Sequence, residues 1–272
     1  MRTAVMSASF LSRSATALVW RLASSQVQRF LSLVLLTAAT LASGIANAGG
    51  LQVSPVTLSL TQAERAGIFT IRNNSEIPMN AQARIFKWTQ TAEDEYVLEP
   101  TSDLVVSPPI MQLTPGVPQE LRLIRTQVPS AQEQQYRLIV DQLPNTAAAE
   151  PVKDSAGKVK KGISILIRHN IPVFLNSTDR PVVQLQWRAE AAGKDKTRIS
   201  IQNTSNHRAQ IARIWLEKGD KTTMLSDGLT GYALPGSTLV REFNVPLAQI
   251  QGQGIVLKAR INDSDTTIQL GN

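Results

Sequence analysis

The chain has 272 residues, with 28 Lys or Arg, 21 Asp or Glu, a formal net charge of +7 and no cysteine. The lack of cysteine excludes disulfides, thiol catalysis and cysteine metal sites. Arg2, Arg13, Arg21 and Arg29 lie in a 48-residue leader without acids; the remainder has 24 basic and 21 acidic residues, net +3. That balance, with no long Lys/Arg run, does not indicate nucleic-acid binding.

In the leader an apolar run over residues 30–45 ends in Ala46-Asn47-Ala48. Basic start, apolar run and small-residue end predict a cleaved secretory signal peptide over residues 1–48 and hence export. The run is too short for a comfortable membrane span.

From residue 49 onward almost nothing reads as helix. Apolar-alternating runs over residues 53–60, 67–72, 81–88, 104–106, 120–125, 135–143 and 162–175 are separated by Pro, Gly, Asn and Asp clusters. Many short strands with turn signals between them predict an all-β sandwich. The polar segment from Asn176 to Pro181 interrupts the pattern, and a second series follows over 183–187, 199–201, 209–216, 232–234, 239–245, 254–261 and 266–270. The reading is a first domain over 49–176, a linker over 177–181 and a second domain over 182–272.

The most informative stretch is residues 162–174, GISILIRHNIPVF, after a long polar loop carrying Lys153, Lys158, Lys160 and Lys161. Ile163, Ile165 and Ile167 alternate, as in a strand with one apolar face. A flat isoleucine row near a sheet edge invites pairing with another chain unless it is covered. Two readings stand: the row fills this protein's own core, or it is lent to a partner.

No catalytic set emerges. His169 and His207 fall in different domains without metal-ligand spacing, and no nucleotide-cradling glycine loop occurs. Asp263-Ser264-Asp265 reads as a hairpin turn, and Asn73-Asn74-Ser75, Asn176-Ser177-Thr178 and Asn203-Thr204-Ser205 read as turns rather than glycosylation sites. Phe86, Trp88, Tyr136, Trp187 and Trp215 are expected in cores; a sugar platform is the alternative for any that prove exposed. The protein is read as a non-enzyme without a cofactor.

Several segments, taken in order behind a leader, resemble the periplasmic chaperones of the chaperone–usher pilus pathway. They are LVVSPPIMQLTPGVPQELRLIR over 104–125, EQQYRLIVDQLP over 133–144, the 162–174 strand and GYALPGS over 231–237. The resemblance implies two immunoglobulin-like domains in a boomerang arrangement. It also implies periplasmic capture of pilus subunits by donor-strand complementation, with Ile163, Ile165 and Ile167 as groove-fillers, and delivery to an outer-membrane usher. Familiar members hold the subunit's C-terminal carboxylate with two basic residues; Leu58 and Pro172 stand at those places here, and the Ile-Pro-Val-Phe end of the strand resembles the non-classical branch called archaic. Arg168, Arg137 and Arg84 are therefore the candidate carboxylate anchors, since a buried carboxylate needs a cation. The family's junction bridge has its acid at Glu133, but its expected base falls near Asn176, which leaves that bridge in doubt. Rival readings are a pilus subunit or adhesin, and an exported carbohydrate-binding sandwich.

Overall fold

The computed structural model describes residues 50–91, 96–144, 165–178 and 181–271. The expected signal peptide, the lysine-bearing loop and Ile163 lie outside the described residues.

Two sandwiches with separate cores are built from β-strands. In the first, one sheet runs β1-β3-β8-β6, from β1 (Leu51–Ser54), β3 (Ala66–Asn73), β8 (Pro118–Arg125) and β6 (Leu104–Ser107). The opposing sheet runs β2-β10-β9-β4-β5, from β2 (Leu58–Leu60), β10 (Arg168–Leu175), β9 (Gln134–Leu143), β4 (Met79–Gln90) and β5 (Tyr96–Pro100). β7 (Ile110–Leu113) pairs with β4. The alternating pattern of β3 buries Phe69 and Ile71 between the sheets, against Leu121 and Leu123 of β8 and Leu138 and Val140 of β9. The run expected over 53–60 is two strands in different sheets, because the chain crosses at the cis bond Ser54–Pro55. A second crossing, between β6 and β7, lies at the cis bond Ser107–Pro108.

In the second sandwich β11 (Leu185–Ala191), β12 (Thr197–Asn203) and β16 (Thr238–Phe243) face a sheet ordered β14-β13-β17-β18. The latter comprises β14 (Lys221–Ser226), β13 (Ala209–Lys218), β17 (Val256–Ile261) and β18 (Ser264–Ile268), with β15 (Gly231–Ala233) also on β13. Trp187, Ile199, Ile201, Ile211 and Leu239 fill the core. Asn262 and Asp263 have positive φ between β17 and β18, so the acidic triplet contributes to a hairpin turn as read from the sequence. No group of three metal-ligating side chains occurs among the described residues, and none of their helices is long and apolar enough to cross a membrane.

One device appears in both sandwiches. The fully buried amide of Asn73 donates to the carbonyls of Ile77 (2.8 Å) and Leu113 (3.1 Å), and its oxygen accepts from the Ser75 backbone (2.9 Å). Asn203, equally buried, donates to His207 (2.8 Å) and Ala233 (2.8 Å) and accepts from Ser205 (3.0 Å). Gly116 and Gly236, both at positive φ, each donate a backbone N–H to the carbonyl of the local asparagine. Both asparagines are therefore turn clips, as their sequence pattern suggested.

Candidate functional site

β10 is the centre of the site. Gln142 N–H donates to the Ile167 carbonyl (2.9 Å), and the pairs continue antiparallel from Arg168 opposite Asp141 to Leu175 opposite Gln134. In such a ladder, backbone groups alternate in direction. Those of odd-numbered residues point to β9; those of Arg168, Asn170 and Pro172 point to the other edge. There β2 pairs only with residues 173–175, so among the described residues no strand covers 168–172. Pro172, which has no N–H, sits where its ladder to β9 loses nothing.

The apolar row that leads into β10 passes from exposed to buried along its length. Ile171, Val173 and Leu175 belong to the protein's own core. Ile167 is partly buried against that core and against Gly50, where a Cβ would approach its Cδ1 to 2.9 Å. Ile165, before the strand, is 78% exposed, with Leu166 beside it at 46%. Ladder pairing thus starts at Arg168, later than the expected strand. His169 ties β10 to β1: its Nε2 lies 2.7 Å from the Leu51 carbonyl, which only accepts, so Nε2 carries the proton.

Midway along β10 the two sandwiches flank a cleft of about 430 Å³, lined by Val56, Tyr96, Arg137, Asn170 and Pro172 on one side and by Leu229, Tyr232 and Arg241 on the other. Arg137, opposite Pro172 in register, is buried there. Its guanidinium lies 3.7 Å from the Trp88 ring centre, 5.5 Å from that of Tyr96 and 6.0 Å from that of Tyr232. Edge-to-face contacts from Tyr96 (5.3 Å) and Tyr232 (5.7 Å) hold Trp88 in place. Arg137 makes no ion pair among the described residues. Burial lowers its pKa, with the Tyr96 and Tyr232 phenols acting in the opposite sense, and an arginine remains charged regardless. Arg241 is committed to the Thr230 (2.8 Å) and Val240 (2.6 Å) carbonyls.

The other two candidate anchors lie elsewhere. Arg84 and Arg168 converge on Asp141 near the start of β10, Arg84 at 2.6 Å and Arg168 through its Nε. Burial acts to raise the Asp141 pKa, but the hydrogen bonds from Arg168 and Arg84 outweigh it and hold the carboxyl below its ordinary value. The structure thus leaves Arg137 alone in the cleft among the three.

The junction bridge left in doubt by the sequence exists, with a different base. Glu133 Oε2 lies 2.5 Å from Arg208 of the second sandwich, and Glu133 Oε1 accepts the Arg208 backbone N–H (3.1 Å). The Glu133 N–H in turn donates to the Asn206 carbonyl (3.1 Å). Arg208 also stacks 3.5 Å above the ring of Phe174 at the end of β10. Burial lowers the Arg208 pKa, and Glu133 opposes that effect. Sequence reasoning missed Arg208 and the cage role of Tyr96 and Tyr232. The available signal was the Asn-x-Ser clip, whose repetition places residues 206–208 in a turn.

The described residues form a two-sandwich, immunoglobulin-like fold. Residues 50–179 match the family model for the pili and flagellar-assembly chaperone, PapD N-terminal domain. No curated protein matches the sequence. Among solved structures, it is similar to a chain of the CsuC–CsuE chaperone–tip adhesion subunit complex from archaic Csu pili of Acinetobacter baumannii. That match has a TM-score of 0.58 and 21% identity, covering 81% of this chain and 97% of the other. It is also similar to the E. coli chaperone DraB (0.54, 16%, 82% and 97%) and to the Pseudomonas aeruginosa CupB2 chaperone (0.52, 17%, 81% and 100%).

Proposed function

We propose that this protein captures pilus subunits in the periplasm by lending β10 to an incomplete subunit sandwich, then passes them to an outer-membrane usher. The observation that carries this reading is the edge of residues 168–172, which no strand covers among the described residues, adjoining exposed Ile165 and half-sheltered Ile167. An arriving strand gains main-chain hydrogen bonds along that edge, while Ile163, Ile165 and Ile167 fill the subunit groove. Each buried isoleucine contributes about 1.5–3 kcal/mol before ordering costs. Arg137 is the proposed anchor for the subunit's terminal carboxylate, because it is a caged cation in a cleft beside Pro172 of β10. The proposed periplasmic location rests on the leader and on the kinship of the first sandwich. The subunit keeps its folding energy until a neighbouring subunit's strand replaces β10.

The test is co-expression with a pilin-like subunit, followed by isolation from the periplasm. A one-to-one complex is expected with the wild type and none with Ile165→Asp. An Ile165→Asp chaperone that holds the subunit as firmly as the wild type refutes the reading.

A further inference from the structure

Arg84, Asp141 and Arg168 form an ionic cluster on the face of the β10 sheet that carries even-numbered β10 side chains. Its charges do not cancel: two guanidinium groups share one carboxylate, leaving an excess of one positive charge. The Asp141 side chain is 12% exposed, whereas those of Arg84 and Arg168 are 44% and 65% exposed. Arg84 gives Asp141 one terminal nitrogen and Arg168 gives it Nε, so each retains donors with no hydrogen-bond partner among the described residues. Asp141 draws both cations to one point, reducing the side-chain ordering needed when an anion arrives. Arg168 also belongs to the edge that no described strand covers, so a strand added there places a side chain about 5 Å from it, Cβ to Cβ.

We propose that this cluster is a second recognition point, which receives an Asp or Glu side chain from the captured subunit strand beside β10. The assignment rests on the donor-strand reading above. Its register follows from the cleft. Arg137 stands opposite Pro172, four residues beyond Arg168, or about 13 Å along the strand. A subunit chain ending in the cleft and extending back along β10 runs parallel to it. Its acid therefore lies about four residues before its terminal carboxylate. A Lys or Arg at that position meets like charge, so the cluster selects among subunits as well as holding them.

The probe is the pilus subunit that co-purifies with the full chain. Arg168→Glu and Arg84→Gln are made in the chaperone, and the subunit's acid opposite Arg168 is changed to Lys. The Arg168→Glu complex is expected to dissociate about three- to tenfold faster than wild type at low salt. The difference shrinks at about 0.5 M salt, and the Lys subunit restores binding to Arg168→Glu. Arg84→Gln gives a smaller effect in the same direction. Thermal melts of the free variants separate loss of recognition from loss of fold. An Arg168→Glu complex as long-lived as wild type overturns the site, and so does a bound subunit with Lys or Arg in that register. Failure of the wild type to hold any subunit overturns the donor-strand reading itself.

Discussion

At the residue scale, Arg137 and Asn73 show two ways of managing buried polarity. Arg137 is surrounded by aromatic faces, which supply electrostatic attraction but no counter-anion. Arg137→Ala is therefore expected to weaken subunit retention at least tenfold, a loss of about 1.4 kcal/mol or more, while the free protein melts near the wild-type temperature. Binding kinetics and a thermal melt check both halves. Asn73, in contrast, satisfies two carbonyls and a backbone amide inside the core. Asn73→Ala leaves those groups unpaired and should cost about 2–4 kcal/mol by denaturant unfolding, with Asn203→Ala similar in the second sandwich. Asp141 gives a pH signature. An unfolded aspartate titrates near 4, and the folded carboxyl is held lower, so its ion pairs stabilise the fold above about pH 4 and fade as the pH falls further. The contribution is modest because both arginines are substantially exposed. Asp141→Asn should narrow the difference in melting temperature between about pH 5 and pH 3.

At the element scale, β10 buries Ile171, Val173 and Leu175 in its own core, and the segment before it leaves Ile165 in solvent. Ile165→Asp is expected to abolish the subunit complex with little change in stability, because Ile165 is largely in solvent. Ile167→Asp should do the same but also destabilise the free protein by about 1–3 kcal/mol, because Ile167 packs on the core and on Gly50. Denaturant titration of each free variant checks the contrast. A strand ending at Leu175 was legible in the sequence because strand side chains repeat every two residues, but Ile165 and Ile167 precede its ladder. The division within the row was not legible, since alternation is identical on either side of the point where a sandwich ends. Likewise β5 and β14 escaped the reading: both are short and largely exposed, so neither has a strict apolar period. The turn clips were readable because Asn-x-Ser and Pro-Gly have local chemistry. The aromatic cage around Arg137 was not, because it joins β4, β5, β9 and β15 across long stretches of sequence.

At the scale of the whole molecule, Glu133 and Arg208 join the two sandwiches, and Trp88, Phe174, Tyr232 and Leu234 form a small shared core beside them. Removing one partner of a buried pair strands the other; Arg208→Ala should cost about 3–5 kcal/mol and split unfolding into two transitions, which calorimetry detects. The same contact sets Tyr232 against Trp88, so subunit capture and domain coupling should weaken together. Hydrogen exchange on the free protein and on its subunit complex tests the central claim most directly. The account predicts rapid exchange at the Arg168 and Asn170 amides in the free protein and strong protection of both in the complex. Unchanged exchange there, with protection appearing on another surface, contradicts it.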